Sequence, residues 1–212
     1  MPPHPTIYVL AGVNGSGKSS ILGAHLLEQG LPFYNPDESA QVLRRIHPNI
    51  NPTIANSHAW TMGKDLLQKA IFTKQSFAFE TTLGGNTIPR LLREAAESGL
   101  HLKISYVGLK SVELNIARVQ FRVGHGSHDI PEEKIRERWD GSRENLIKLL
   151  PIVSALRVFD NSEESNPLSG VRPIPKLLLE IRDKSMVHPT SLAQVPDWAK
   201  PILMAAIDHF KQ

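Results

Sequence analysis

Residues 6–20 read TIYVLAGVNGSGKSS, and this stretch decides the fold. A short apolar run at residues 7–10 predicts a buried strand that leads directly into a glycine-rich loop. The loop, residues 12–19, matches the pattern G-x-x-x-x-G-K-[ST] at every fixed position. Its glycines allow the backbone N–H groups to turn inward around an anion, and a helix predicted at residues 18–28 points its positive end at the same place. The stretch therefore predicts a Walker A loop that binds nucleotide phosphates.

Two fixed residues of this loop are suited to binding phosphate and metal. Lys18 carries a charge that reaches the β and γ phosphates, and the Ser19 hydroxyl is placed to ligate the Mg²⁺ that bridges them. ATP and Mg²⁺ are therefore the predicted cofactors. The alternative is a glycine-rich turn without a ligand, but the strand before the loop and the helix after it favour a nucleotide. The loop residues predicted to bind the nucleotide are Gly12, Asn14, Gly15, Ser16, Gly17, Lys18, Ser19 and Ser20.

The composition narrows the class of protein. A chain of 212 residues suffices for one α/β domain, so we expect residues 1–212 to form a single domain. The chain has no cysteine, which excludes disulfides and thiolate metal sites and favours a cytoplasmic location. No apolar run approaches the ~18 residues of a membrane span. A net charge of +3 is too mild to indicate nucleic acid binding, and it also fits a small anionic ligand.

Strand and helix patterns alternate along the chain, which is typical of a mostly parallel sheet with helices on both faces. Together with the loop they predict an α/β fold, the three-layer sandwich of P-loop NTPases with a helical lid. A C-terminal helix of about residues 196–211 is expected to pack on the sheet. Further strands, the last of them at an edge, are expected at residues 31–34, 76–79, 101–109, 156–159 and 177–181.

Three polar side chains follow predicted strands. Asp37 comes shortly after the second strand, and Glu80 and Thr82 come directly after the third. In a parallel sheet the carboxyl ends of the strands line the ligand crevice, so these groups could activate a substrate or bind the metal. Each carboxylate has a structural alternative. Asp37 could cap a helix predicted at residues 38–46, and Glu80 could simply end its strand.

A long helix is predicted to open at Asn51-Pro52 and to run to about residue 74. Its hydrophobic pattern repeats every four residues, and we expect most of this stripe to face the core. His58 and Trp60 are interpreted as packing or pocket-wall residues rather than as chemical groups. The stripe consists of Ile54, His58, Met62, Leu66 and Ala70.

The most basic part of the chain, about residues 118–140, predicts a lid over the nucleotide. Arg118 and Arg122 are one helical turn apart, so their side chains emerge from the same face. A flexible loop and a second helix follow. Such a lid would expel water and neutralise charge on the transferred phosphoryl group. The second helix, which opens at a proline, carries three more arginines, Arg136, Arg138 and Arg143.

Other interpretations of this region stay open. Arg136 and Arg138 are about 200° apart on a helix, so they cannot share a face and one of them is expected to be solvated. The glutamates of the second helix could also pair with the arginines as an ordinary charged surface. His125 and His128 lack the companion ligands of a zinc site, so no such site is predicted. The turn at residues 160–162 could contact the base or ribose, or merely reverse the chain.

Four motifs in a fixed order resemble those of a known family. They are GVNGSGKSS, NPDE, FAFETTL, and a block at residues 111–149 that contains RVQFRV, HDIPEEKIRERW and SRENL. In this order they are similar to the zeta-toxin family of P-loop kinases, in its short chromosomal form. The similarity covers nearly the whole chain to about residue 162. The chain departs from the family at Gly126-Ser127-His128, where GGH is common.

The resemblance implies roles for named residues. The family transfers the γ-phosphoryl group of ATP to a sugar hydroxyl, with UDP-N-acetylglucosamine as the substrate of its characterised toxins. On this pattern Lys18 and Ser19 would hold ATP and Mg²⁺, and Asp37 would take the proton of the acceptor hydroxyl. Glu80 with Thr82 would bind acceptor or metal. The phosphates would be clamped by lid arginines, namely Arg118 and Arg122 with Arg138 or Arg136.

The sequence thus predicts an ATP-dependent small-molecule kinase, a phosphotransferase with an alcohol group as acceptor. Two alternatives stay open. One is an ATP-binding or ATP-hydrolysing switch that reshapes the lid for a protein partner, and the other is a nucleoside or nucleotide kinase with a different pocket. The resemblance also implies a neutralising antitoxin as a partner, although the chain has no obvious extra segment for an antitoxin to grip. We therefore predict a kinase and make no claim of toxicity.

Overall fold

The computed structural model describes residues 4–19, 33–124, 129–163, 174–189 and 191–210. Most of the helix predicted after the phosphate loop lies outside these ranges, as do Ser20, His125 and His128. The described strands are β1 Thr6–Ala11, β2 Phe33–Tyr34, β3 Phe77–Thr81, β4 His101–Gly108, β5 Ala155–Asp160, β6 Lys176–Arg182 and β7 Ser185–Pro189. The described helices are α1 Pro36–Ile46, α2 Pro52–Thr73, α3 Thr87–Glu97, α4 Val112–Val123, α5 Glu132–Leu149 and α6 Lys200–Phe210.

The seven strands form one sheet in the order β2-β3-β1-β4-β5-β6-β7. The first five in this order are parallel to one another, whereas β6 and β7 are antiparallel additions. The predicted α/β fold with a mostly parallel sheet is therefore confirmed. The strand predicted at residues 177–181 is present as β6, but its predicted position at the edge is wrong, because β7 pairs with the outer side of β6. The carboxyl ends of β1, β2 and β3 lie side by side, and each is followed by a predicted site residue.

The central strand β1 is buried on both faces of the sheet. Ile7, Val9 and Ala11 belong to the main core, together with apolar side chains from α2, α3, α5 and α6. Leu10 points to the opposite face by the alternation of strand side chains, and it is fully buried as well. A strand buried on both sides reads as a continuous apolar run, which is why residues 7–10 were recognisable in the sequence.

Helix α2 begins after Asn51, as predicted, but it buries a different face from the predicted one. Its buried residues are mostly small, and the predicted stripe shares only Ala70 with them. A Cβ atom on Gly63 would lie 2.6 Å from the Tyr34 ring, so the small residues allow the helix to approach β2 closely. Ile54 and Met62 of the predicted stripe are exposed instead. The buried residues of α2 are Ala55, Ala59, Gly63, Leu67 and Ala70.

The C-terminal segment completes the sheet and the core. A single 3-10 turn at Asp197–Ala199 precedes α6, so the predicted C-terminal helix begins a few residues later than expected. Trp198 and Ile202 are buried in the main core. In the described part of the chain, no helix combines the length and the apolarity needed to cross a membrane.

Candidate active site

The phosphate-binding loop follows β1 at the centre of the sheet. Gly12, Gly15 and Gly17 have φ values of +147°, +83° and +83°, in the region that favours glycine. Two of them also lie against neighbouring backbone. A Cβ atom on Gly12 would be 2.3 Å from the Val107 carbonyl oxygen, and one on Gly15 would be 2.5 Å from the Asn115 carbonyl oxygen. The loop therefore needs glycine for its conformation and for its packing against β4 and α4.

Two side-chain amides brace the loop from outside. Asn115 Nδ2 in α4 donates to the Asn14 carbonyl at 2.7 Å, and Asn161 Nδ2 after β5 donates to the Ser16 carbonyl at 2.8 Å. Carbonyl oxygens that are held in this way cannot turn towards an anion and repel it. Asn115 was missed in the sequence, although an amide on the apolar face that it shares with Val112 and Val119 is a usable signal. The predicted base-contacting turn at residues 160–162 thus supports the loop.

Glu80 joins the two loop residues that were predicted to hold ATP and Mg²⁺. Its Oε1 lies 3.1 Å from Lys18 Nζ, and its Oε2 accepts a hydrogen bond from Ser19 Oγ at 2.7 Å. The Lys18 and Glu80 side chains are 7 % and 4 % exposed, so the ion pair is buried. A hydroxyl and a carboxylate are hard oxygen ligands, which fits a Mg²⁺ site completed by phosphates. In the ranges that the structure describes, no cluster of three or more His, Cys, Asp or Glu could hold a metal.

Asp37 lies in the first turn of α1, but it is not the N-cap. The cap is Asn35, whose Oδ1 accepts a hydrogen bond from the Asp37 N–H at 2.9 Å. Pro36 occupies the first helical position, where a missing N–H costs nothing, so the helix begins two residues earlier than predicted. The structural alternative for Asp37, that it caps this helix, is therefore wrong. Its carboxylate is exposed at the wall of a cavity.

One cavity of about 560 Å³ brings the candidate side chains together. It lies at the carboxyl ends of β1, β2 and β3, and its volume is typical of small-molecule sites. Trp60 of α2 lines it, as predicted, whereas His58 lies on the outer face of that helix beside Met62. The predicted site residues that line this cavity are Asn14, Lys18, Asp37, Glu80, Thr82 and Arg138.

The arginines predicted for the lid differ in where they lie. Arg138 lines the cavity and donates from Nη1 to Asn14 Oδ1 at 2.8 Å. Burial lowers the pKa of Arg138, and the nearby charges of Asp37 and Glu137 oppose this shift. Arg136 is exposed and forms ion pairs with glutamates of α4 and α5. Of these two arginines, Arg138 therefore enters the site and Arg136 faces solvent.

The two arginines of α4 have other surroundings. Arg118 donates from Nη2 to the Glu163 carbonyl at 3.2 Å, beside the turn that follows β5. Arg122 is exposed near the C-terminal end of α4. Arg138 is the only arginine among the described residues that line the cavity. Arg118 and Arg122 do not line it. Their role at the phosphates stays a prediction.

Comparison with known proteins agrees with this geometry. The family described as Zeta toxin matches residues 1–167 of the chain. An uncharacterised protein of Haemophilus influenzae (strain ATCC 51907 / DSM 11121 / KW20 / Rd) is 33 % identical over 134 residues, which cover 60 % of this chain and 88 % of that protein.

Solved structures share the fold at low sequence identity. The complex of AvrRxo1-ORF1 and AvrRxo1-ORF2 with ATP matches with a TM-score of 0.67 and 14 % identity, over 97 % of this chain and 64 % of that chain. The chain thus spans less than two thirds of that neighbour's length. The PezAT chromosomal toxin–antitoxin system of Streptococcus pneumoniae matches with a TM-score of 0.56 and 16 % identity, over 98 % of this chain and 79 % of that chain. Because the family match spans the phosphate loop, the carboxylates and helices α4 and α5, this chain belongs to the zeta toxin family.

Proposed function

We propose that this protein is an ATP-dependent small-molecule kinase that transfers the γ-phosphoryl group of ATP to a hydroxyl, and that the whole chain acts as one domain. The observation that carries the proposal is that Lys18 of the phosphate loop and the carboxylate of Asp37 line the same cavity. A kinase needs these groups together, because the phosphates require a cation and the acceptor requires a base. Membership of the zeta toxin family supports the same reaction.

The residues of the site have distinct roles in the proposed reaction. Lys18 binds the β and γ phosphates, and Ser19 and Glu80 would hold Mg²⁺, which would offset the negative charge of the phosphates when bound. Asp37 accepts the proton of the acceptor hydroxyl. The oxygen of that hydroxyl bonds to the γ phosphorus while the bond from this phosphorus to the β–γ bridging oxygen breaks, and ADP leaves. Arg138 offsets the charge on the transferred group.

The lid, about residues 118–140, is proposed to close over the nucleotide. Arg118 contacts the carbonyl of Glu163 in the structure, so it and Arg122 would reach the phosphates only when the lid closes. Closure would also exclude water from the reacting phosphoryl group.

A nucleotide sugar such as UDP-N-acetylglucosamine is the acceptor that the family favours. The cavity supports this choice because Trp60 offers an aromatic face and Lys64 a positive charge on its α2 side. The S. pneumoniae neighbour is part of a toxin–antitoxin system, so an antitoxin is our proposed protein partner. A nucleoside or nucleotide kinase would use the same phosphate loop with another acceptor.

The proposal is tested by ADP release in the presence of ATP, Mg²⁺ and a panel of sugars, nucleotide sugars and nucleosides. We expect release that depends on one acceptor, and Lys18→Met should abolish both nucleotide binding and release because the phosphates lose their cation. Lys148→Met, which removes an exposed lysine of α5, is the matched control and should behave as the wild type. Release that is independent of any acceptor would favour a nucleotide-dependent switch. Wild-type nucleotide affinity in Lys18→Met would refute the phosphate-binding loop.

A further inference from the structure

Asn14 of the phosphate loop forms hydrogen bonds with both α4 and α5. Its carbonyl accepts a hydrogen bond from Asn115 of α4, and its side-chain Oδ1 accepts one from Arg138 of α5 at 2.8 Å. Asn14 is only 5 % exposed, and both Asn14 and Arg138 line the cavity. The carbonyl group of Asn14 therefore helps to fix the loop, whereas its side chain binds Arg138.

Arg138 is held at both ends of its side chain. A Cβ atom on Gly84 would lie 2.7 Å from Arg138 Cγ, so the stem of the arginine packs directly on the loop after β3. The guanidinium group at the other end is bound to Asn14, in the cavity that also contains Lys18. An arginine fixed in this way loses little conformational freedom when an anion arrives.

A neutral amide suits this position better than a carboxylate. A carboxylate would form a charge-assisted bond to Arg138 and would place a negative charge beside the phosphates of a nucleotide. An amide holds the arginine more weakly, so a phosphate oxygen with full charge can take over the guanidinium group. The hydrogen bond to Asn14 thus holds the guanidinium group of Arg138 before the nucleotide binds, and it is weak enough to release that group to a phosphate.

We propose that Asn14 is a positioning residue that presents Arg138 to the γ-phosphate of the bound nucleotide. The inference rests on the proposed kinase function, because it assumes a nucleoside triphosphate in the loop. It adds that the side chain of Asn14 acts through the lid arginine and contributes specifically to recognition of the terminal phosphate.

Calorimetric titration with two nucleotides tests this inference. The probes are Mg²⁺·ADP and Mg²⁺·AMPPNP, a non-hydrolysable ATP analogue, and the wild type should bind AMPPNP more tightly. Asn14→Ala should weaken AMPPNP binding about fivefold and leave ADP binding nearly unchanged, because only the terminal phosphate needs Arg138. Asn14→Asp should weaken AMPPNP binding further, since it retains the arginine and repels the phosphate. A fall of equal size in ADP affinity for Asn14→Ala would mean that the side chain serves the loop, and would overturn the inference.

A double-mutant cycle with Arg138→Met gives a second criterion. If Asn14 acts through Arg138, adding Asn14→Ala to Arg138→Met should cause no further loss of AMPPNP affinity, whereas additive losses would overturn the inference. Arg138→Lys, which keeps the charge, replaces Arg138→Met if that variant does not fold. Arg136→Met changes an exposed arginine of the same helix and is the matched control. If the wild type bound neither nucleotide, the proposed function itself would be wrong.

Discussion

At the scale of single residues, different side chains at the start of α1 cap the helix and line the cavity. Asn35 supplies the capping oxygen, so the carboxylate of Asp37 has no structural task as an N-cap. It faces a cavity that also contains Lys18 and Glu80. A side chain that is exposed at a cavity wall and does not cap the helix can be replaced without removing the cap, so a substitution of Asp37 tests the mechanism directly.

Asp37→Asn is expected to leave ATP affinity nearly intact and to lower phosphoryl transfer by a factor of about 10²–10⁴, since the acceptor loses its base. Single-turnover transfer and ATP titration measure the two effects separately. Glu38→Gln is the matched control, because Glu38 is exposed in the same turn and is absent from the described lining of the cavity. Unchanged transfer in Asp37→Asn would remove this residue from the mechanism.

The sequence pattern marks the fixed residues of the phosphate loop, but it does not mark the side chains that support the loop. The Walker pattern specifies Lys18 and Ser19 because the chemistry of phosphate binding fixes residue type and spacing together. The amides of Asn115 and Asn161 lie about 100 and 145 positions from the carbonyls that they bind. No local pattern encodes such contacts, since they depend on how the sheet brings distant turns together.

At the scale of elements, α5 holds the loop that follows β3. Ser142 Oγ donates to the Thr82 carbonyl at 2.7 Å, and Asn145 Nδ2 donates to the Leu83 carbonyl at 2.8 Å. Gly141 brings the helix close enough, because a Cβ atom there would lie 2.7 Å from the Gly84 carbonyl oxygen. The part of α5 that follows Arg138 is thus held against the loop that carries Thr82.

Gly141→Ala should destabilise the protein, against the usual preference for alanine in helices. In an unpacked helix this change gains about 1 kcal/mol, but here the new methyl group would collide with backbone. Urea denaturation measures the change in the free energy of unfolding, and Glu144→Ala, at an exposed position of the same helix, is the control. A gain in stability for Gly141→Ala would show that the contact between α5 and the loop after β3 is looser than described.

Helix α2 shows the limit of hydrophobic patterns at this scale. Its length and its N-cap Asn51 were predicted, because proline at the first helical position is a strong signal. Its buried face was not, since close packing against Tyr34 selects alanine and glycine, which weigh little in a hydrophobic pattern. The larger apolar residues Ile54 and Met62 lie on the exposed side.

At the scale of the whole molecule, the sheet extends beyond the region that the family match covers. The match ends at residue 167, whereas β6 pairs with β5 along its length and β7 pairs with β6. Trp198 packs against Gly108 and donates from Nε1 to Asp160 at 3.3 Å, at the end of β5. The C-terminal segment therefore supports the strand that precedes the loop-bracing Asn161.

A chain that ends at residue 167 is expected not to fold. The deletion would remove at least five fully buried apolar side chains, each worth about 2 kcal/mol, from a protein whose total stability is of the order of 5–15 kcal/mol. Far-UV circular dichroism and urea denaturation of residues 1–167 test this, with residues 1–210 as the control. Cooperative unfolding and nucleotide binding by the shorter chain would contradict the prediction. The five side chains are Leu178, Leu179, Ile181, Ile202 and Leu203.

The overall architecture was predicted because alternating strands and helices restrict the possible arrangements strongly. Strand β7 was not predicted. The turn before it contains Asp183 and Lys184 with φ values of +48° and +61°, a conformation for which Asn-Gly or Asp-Gly is the usual sequence. Without that signal, the hairpin of β6 and β7 is not apparent from the residues, and β6 was placed at the edge.

The ion pair between Lys18 and Glu80 has a consequence for how the chain reaches its native state. An isolated ammonium group in a buried loop would be costly, and many anion sites would need their ligand before they could form. Here the counter-charge is built into the neighbouring strand at 3.1 Å. The phosphate loop can therefore form before any nucleotide is present, and ATP meets a lysine that already stands in place beside Glu80.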